Sequence, residues 1–435
     1  MRVRGGLGVL GIALAAPLAA QTIVEYPVAF NSAPIGIAAG PDGNIWFTMY
    51  FANQIGRITP SGTVTTFSLA TNTLPAGIAA GPDGNLWFCE NGANQIGRIT
   101  PAGDVTEFPI PNAFVGGGPG YITAGPDGAI WFTENDGGSA GRVRRLTTDG
   151  QFTMFPPPNP TAAPQQIVTG ADGNLWYSLP YSGRIGRITT AGKIDEFLLP
   201  TPSMFALALA ASPDGGVWVA EQESDSSVLA RFAPDGTATQ LTLPGITSRI
   251  FGLVVGADGN LWFTENDTGL IGRVTPAGAV SEFDTSSSVS APWVIANGPD
   301  GALWFSEYGI DGIGKVTVAP FPCVAGPNAL CLNGGRFRLG ATFGSSAGSG
   351  AATAVSLTDD SGYLWFFDPT NIEIVAKVLN GCSIDAHYWV FLAGLTNVGA
   401  TLTVTDSQTG IARTYTNTAG QAFAPVQDVN AFACP

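Results

Sequence analysis

Hydrophobic and polar positions exchange along this chain in short bursts, with no run at helical spacing long enough to organise the fold. Around residue 86 the pattern reads Leu86-Trp-Phe-Cys-Glu90, then Gln95-Ile-Gly-Arg-Ile-Thr100, then Asp104-Val-Thr-Glu-Phe108. Apolar runs of about five residues and alternation with a period of two predict β-strands. Turn signals separate them: Pro82-Asp83-Gly84-Asn85, whose Asp-Gly supplies the positive φ of a tight hairpin, and Pro101-Ala-Gly103. Gly77-Ile-Ala-Ala-Gly81, ahead of the first turn, is small and apolar, suited to an inner strand near a crowded axis. One unit therefore predicts four strands, the second with apolar cover on both faces.

The unit is repeated. Its Asp-Gly turn stands at Asp42, Asp83, Asp127, Asp172, Asp214, Asp258 and Asp300, at steps of 41 to 45 residues. Four residues after each turn aspartate comes a tryptophan: Trp46, Trp87, Trp131, Trp176, Trp218, Trp262 and Trp304, seven of the chain's ten. A hairpin turn and an aromatic at a period near 43 are the signature of a β-propeller, so seven units predict seven four-stranded blades. The seventh unit reaches Ala319-Pro-Phe-Pro322 without a fourth strand, whereas Val24-Glu-Tyr-Pro-Val28 reads like Thr106-Glu-Phe-Pro-Ile110. Ile23 to Val28 is therefore expected to complete blade 7 and close the ring, removing exposed edges.

Two rings of charge run through the repeats. Glu90, Glu134, Glu221, Glu265 and Glu307 stand seven residues after their turn aspartates, with Met49 and Leu179 in the other two places. Arg57, Arg98, Arg142, Arg187, Arg231, Arg273 and Lys315 are read as the matching third-strand ring. Buried charges are tolerated when partnered, so the two rings are expected to pair between blades. Cys89 falls where other blades carry Thr48, Thr133, Ser178, Ala220, Thr264 and Ser306, and is read as a small buried side chain.

Before the repeats, Met1 to Ala20 reads as a signal peptide: Arg2 and Arg4, an apolar core from Leu7 to Ala16, then Leu18-Ala19-Ala20 before Gln21. That predicts an exported protein, extracellular or periplasmic, without membrane insertion. After residue 320 the repeat stops. Residues 321–435 hold Cys323, Cys331, Cys382 and Cys434, which in an exported chain predict two disulfides among three possible pairings. Proximity favours Cys323 with Cys331 and Cys382 with Cys434. Gly335–Leu339, Tyr363–Phe367, Glu373–Val378, His387–Phe391 and Ala400–Thr405 alternate as strands, with Ser345–Ala352 expected as a mobile loop. An antiparallel sandwich or small barrel follows, so the whole chain is all-β. His387, the only histidine, lacks partners at metal-ligand spacing and is read as structural. The net charge is −15, and removing Arg2 and Arg4 leaves 16 basic against 33 acidic residues, near −17. Such a surface repels phosphate backbones and excludes nucleic acid as a partner; a soluble monomer is expected.

The unit Gly-Pro-Asp-Gly-Asn-Leu-Trp-Phe-Thr-Glu, followed by Ile-Gly-Arg-Ile-Thr and Val-Thr-Glu-Phe, resembles the virginiamycin B (streptogramin) lyase family from about Ile23 to Val318. The resemblance implies a seven-bladed propeller that opens a cyclic depsipeptide by elimination, assisted by magnesium. It also implies histidines on the inner strands of the last two blades, a glutamate two residues before the second, and another ending the last Trp-Phe-x-Glu strand. Those places here hold Phe251, Trp293, Ala291 and Glu307; only Glu307 matches. The positions seven before the turn aspartates are Ile35, Ala76, Gly120, Gln165, Leu207, Phe251 and Trp293. If they ring the channel mouth, Gln165, Phe251, Glu265, Trp293 and Glu307 form the candidate site for a small molecule, peptide or glycan, unless the two aromatics simply plug the channel. The expected function is ligand binding without the family's chemistry. The alternative is a divergent magnesium-assisted carbon–oxygen lyase acting through Glu307 on a depsipeptide or related ester. Glu134-Asn-Asp136, Glu221-Gln-Glu223 and Glu265-Asn-Asp267 could hold a hard cation, although none has EF-hand spacing.

Overall fold

The computed structural model describes residues 22–435 except 139, 160–162, 213–214, 224–225, 276–277, 319–322, 324, 346–347, 408–411 and 435. The segment read as a signal peptide, the fifth turn aspartate Asp214 and the domain boundary at Pro320 lie outside the described residues. Seven four-stranded antiparallel sheets follow one another as the blades of a propeller. Blade 1 is typical: Pro34–Ala39 is innermost, then Ile45–Met49, Gln54–Ile58 and Val64–Ser68 outermost. The second strands are largely buried, in blade 1 throughout from Ile45 to Met49, because each blade is covered by its neighbours on both faces.

The turn aspartate anchors the core of six blades. Trp46, Trp87, Trp131, Trp176, Trp262 and Trp304 each donate Nε1–H to their own turn aspartate at 3.0–3.2 Å. All six rings are fully buried, so this bond satisfies a donor that would otherwise be stranded in the apolar interior. Partial burial would raise the Asp42 carboxyl, but hydrogen bonds from Asn44 and Trp46 outweigh it and hold Asp42 below its ordinary value. An outer-strand ring stacks on each tryptophan, as Phe67 does on Trp46 at 5.3 Å and Phe108 on Trp87 at 5.1 Å. In blade 5 Leu241 takes that place, and Trp218 is correspondingly only half-buried.

The third-strand cations join this stack, which corrects the expected pairing of the two charge rings. Trp46 lies in register with Arg57, and the guanidinium sits 5.5 Å from the ring centroid and 3.8 Å from Asp42. Arg57 also donates to the Pro101 carbonyl of blade 2 at 2.9 Å, and Lys315 to the Pro60 carbonyl of blade 1 at 3.1 Å. The cations thus bridge blades through backbone carbonyls. The ring glutamates stand three residues after the tryptophan and so face the other way, since side chains alternate along a strand. Register also corrects one member: Trp131 lies opposite Arg145, which pairs with Asp127 at 2.6 Å, so Arg145 and not Arg142 belongs to the ring.

Closure occurs where the sequence places it. Thr22–Pro27 pairs antiparallel with Gly312–Thr317 as the outer strand of blade 7, whose remaining strands are Leu303–Glu307 and Pro292–Asn297. Tyr26 stacks on Trp304 at 5.7 Å, supplying the ring that Phe67 supplies in blade 1. On its other side Tyr26 meets Gly62 of blade 1, where a β-carbon would lie 2.2 Å from the ring. Gly62 also has φ +96°, so glycine is required there twice over. Cys89 is fully buried, and that burial raises its thiol well above the ordinary value, as expected of a core position.

Beyond the propeller, two five-stranded sheets enclose a single apolar core. Leu339, Leu402 and Val404 come from one sheet and Leu364, Ile374, Val390 and Leu392 from the other, which resolves the sandwich-or-barrel choice to a sandwich. Cys323–Cys331 and Cys382–Cys434 are the disulfides, the pairing that proximity favours. The stretch expected as a mobile loop instead contributes Gly348–Ala351, hairpin-paired with Phe337–Ser345, because glycine and serine do not prevent an edge strand from using its backbone bonds. His387 Nδ1 lies 2.8 Å from the Asp385 carbonyl, a local turn contact.

Two outcomes follow for stability. Asp258→Ala strands the Trp262 donor and the Asn260 amide inside blade 6 and is expected to cost about 2–3 kcal/mol, read as a lower denaturant midpoint at constant m value. Deleting Ile23 to Val28 exposes the edge of Gly312–Thr317 and is expected to lower the melting temperature and promote self-association, checked by calorimetry and light scattering.

Candidate functional site

The seven positions before the turn aspartates share one local structure. In blades 1, 2, 3, 5 and 7 the register between first and second strands slips there, at Pro34/Ile37, Pro75/Ile78, Pro119/Ile122, Ala206/Ala208 and Pro292/Ile295. Such bulges re-aim side chains out of the sheet alternation. In blades 4 and 6 the same positions precede the shorter strands Ile167–Thr169 and Leu253–Val255. All seven side chains are half-buried.

Second-strand hydroxyls hold these bulges in place. Thr48 accepts from the Gly36 amide at 2.8 Å and donates to the Ala76 carbonyl of blade 2 at 2.6 Å. Thr264 does the same for Gly252 and for the Trp293 carbonyl of blade 7 at 3.0 Å. Ser306 completes the circle, donating to the Ile35 carbonyl of blade 1 at 2.7 Å. Ala76, Trp293 and Ile35 are thus each positioned by the preceding blade. Cys89 and Ala220 occupy the hydroxyl position in blades 2 and 5.

Blades 6, 7 and 1 bring a row of aromatic rings to this end. Phe251 and Trp293 stack face to face at 4.4 Å with 10° between their planes. Trp293 continues to Tyr308 at 5.6 Å, Tyr308 to Phe51 at 6.4 Å, and Phe51 to Tyr50 at 5.2 Å. Phe51 and Tyr308 are exposed. On the far side Arg249 covers Phe251 at 5.4 Å, held by Asp267 through Nε at 3.0 Å. Trp293 also lies near Tyr121 of blade 3, whose phenol is raised by burial. Next to Tyr121, a β-carbon on Gly120 would meet no atom within 4 Å, so open space remains beside blade 3. The backbone N–H of Gln165 donates to the Ser178 carbonyl at 3.0 Å.

The glutamates occupy a different environment. Glu265 and Glu307 are at most 1% exposed, on the blade faces that carry Phe263 and Phe305. A β-carbon on Gly312 would lie 2.7 Å from Glu307 Oε2, which places that carboxyl over the third strand, on the side of the outer strand. Burial, reinforced by Glu25, pushes Glu307 up to about 8; burial and then Glu282 push Glu265 up to about 7. Thus the structure assembles Phe251 and Trp293, while Glu265 and Glu307 turn into the blades. Sequence reasoning passed over Tyr308, Tyr50 and Phe51, although a signal existed: they directly follow the ring positions Glu307 and Met49.

The acidic triplets do not present a cation-binding set. Glu134 takes Arg142 at 2.9 Å and also Arg144. Asp136 accepts backbone amides from Gly138 and Ala140, Glu221 takes Gln240 at 2.9 Å, and Asp267 is held by Arg249. Among the described residues no three acidic, cysteine or histidine side chains converge. The magnesium implied by the resemblance therefore finds no matching donor set, and no chemical step is derived through it.

Comparison with known proteins agrees with this architecture. The model of the Virginiamycin B lyase family matches residues 16–143 and 114–320. A streptogramin B lyase structure is 32% identical, covers 68% of this chain and 97% of its own, and superposes with a TM-score of 0.63. A catalytically inactive histidine-to-alanine form of the Staphylococcus aureus virginiamycin B lyase, solved with quinupristin, is also 32% identical, with 69% and 100% covered and the same TM-score. The WD40 propeller domain of Doa1, 8% identical at a TM-score of 0.56, shares the fold alone, over 69% of this chain and 98% of its own. No curated protein matches. With a family model spanning most of the propeller and structural relatives covered almost end to end, the chain belongs to the virginiamycin B lyase family.

Proposed function

We propose that this chain is an exported, monomeric ligand-binding member of the family, in which the mouth binds an apolar or aromatic group and the acid–base chemistry has been lost. The observation that carries the reading is the Phe251–Trp293 stack, in the two places where the family resemblance implies histidines. Elimination needs a base for the proton α to the ester carbonyl and an acid for the leaving oxygen. Phenyl and indole rings supply neither, and the propeller contains no histidine. Glu307 keeps its identity but is fully buried, with its carboxyl over the third strand.

Binding and chemistry are separable within the family, because a catalytically inactive relative holds quinupristin. In this chain Trp293, Tyr308 and Phe51 supply stacking surface, and the space beside Gly120 supplies room. The alternative of a divergent lyase would require Glu307 to swing out of the blade and to find a proton donor.

Losing a general acid–base pair removes about 10²–10⁴-fold in rate. The purified protein is accordingly expected to leave virginiamycin B intact with or without Mg²⁺, as followed by mass spectrometry. Linearised product formed at a rate typical of the family, and absent in Glu307→Gln, would favour the lyase instead. Quinupristin titration followed by tryptophan fluorescence is expected to show binding that Trp293→Ala weakens about tenfold or more. Quinupristin bound with equal affinity by both forms would make the aromatic pair a plug.

A further inference from the structure

The buried glutamates have a second carboxyl within reach, and the arrangement is built by register. In blade 7, Phe305 lies opposite Gly314, which lies opposite Glu25 on the closing strand. Glu307, two residues after Phe305, shares that face and lies opposite Gly312. Two glycines on the intervening strand leave no side chain between the two carboxyls, which face each other diagonally across it. Neither oxygen of the fully buried Glu307 has a donor from elsewhere, while Glu25 Oε1 accepts the Ser286 amide at 2.6 Å.

Other blades fill the same positions differently. Blade 3 inserts Arg144 where blade 7 has Gly314, and the guanidinium binds Glu134. Blade 5 carries Gln240 where blade 7 has Glu25, and its amide donates to Glu221 at 2.9 Å. Blade 1 has Met49 and Thr66, with no carboxyl at all. Blades 2 and 6 repeat the double-glutamate arrangement with Glu90 and Glu107, and with Glu265 and Glu282, but within one continuous stretch of chain. In blade 7 alone the pair joins the N-terminal strand to the last blade.

We propose that Glu25 and Glu307 are a shared-proton latch on the seam that closes the ring, holding the closing strand at acidic and neutral pH and releasing it when the proton leaves. With the proton present, one carboxyl donates to the other; without it, two negative charges face each other across glycine, one of them on a fully buried side chain. Among the described residues no cation pairs with Glu307. The first strand brings Pro292, and the covering segment from blade 6 brings Ser286 through its amide. Lys315 is engaged by Asp300, Arg273 lies over Trp262 and near Ser281, and Asp284 is exposed at the end of the outer strand of blade 6.

The sign of the effect follows from linkage. Burial, then Glu25, raise Glu307 in the folded protein to about 8, above its unfolded value. The folded state therefore holds more protons than the unfolded state, and the contribution is full below the unfolded pKa and lost as pH rises through about 8. Hydrogen exchange on the full chain tests it, with protection corrected for the intrinsic rate. Between pH 6 and pH 9, protection over Thr22–Pro27 is expected to fall at least about tenfold, while Val64–Ser68, the outer strand of blade 1, keeps its own. Glu307→Gln is expected to abolish that fall, because an amide can donate to the Glu25 carboxylate at either pH, as Gln240 does to Glu221. Glu25→Gln, at a half-buried site, is the second variant and should flatten the profile in the same way. Equal changes in the two outer strands, or the same fall in wild type and both variants, would overturn the latch. This test does not depend on a ligand, so its failure leaves the binding proposal standing.

Discussion

The hydrogen bond from six of the repeat tryptophans to their own turn aspartates is the interaction on which the rest of this structure depends. It solves two problems together. The largest side chain in the repeat is buried completely without stranding its N–H, and the hairpin that carries the aspartate is tied to the strand that follows. In several blades the carboxylate also holds the third-strand cation over the ring. From that cation run bonds to the next blade's backbone. A local four-residue spacing thus becomes a contact between blades, and seven repetitions become a ring.

The mouth inherits its geometry from this framework. Because the second strand is locked, its hydroxyl can hold a bulge on one side and a carbonyl of the next blade on the other. Side chains at the bulge leave the sheet alternation and gather at one end of the channel. What those side chains are is a separate matter from how they are held. A scaffold of this kind can keep its fold while the residues that its inner strands present change.

The opposite face of the second strand follows a different rule in blades 2, 6 and 7. There a glutamate sits behind a phenylalanine whose ring covers a glycine of the third strand; at Gly97 a β-carbon would lie 2.2 Å from Phe88. That glycine admits the ring and also opens a path between the second and outer strands. Carboxyls meet along this path unless an arginine or glutamine intervenes, as in blades 3 and 5. The cost of a buried charge is met by pairing or by retaining a proton.

Much of this was legible in the residues because it is local. The Asp-Gly turns and the tryptophans four residues on specify hairpins through φ preference and burial, and the matching Val24–Val28 segment specifies closure by repetition. Parity along the strand would also have separated the charge rings, since Glu90 stands three residues after Trp87 and so faces away from it. The third-blade cation was not legible: Gly141-Arg-Val-Arg-Arg145 offers three arginines, and only pairing with the second strand selects Arg145. Nor could sequence place Tyr121 against Trp293, or Glu25 against Glu307, pairs that lie 172 and 282 residues apart. Their proximity comes from closing a seven-bladed ring, in which blades distant in sequence share one axis and the two ends of the propeller share one sheet. Turns and strands are properties of neighbours along the chain; a mouth and a seam exist only once the circle is complete.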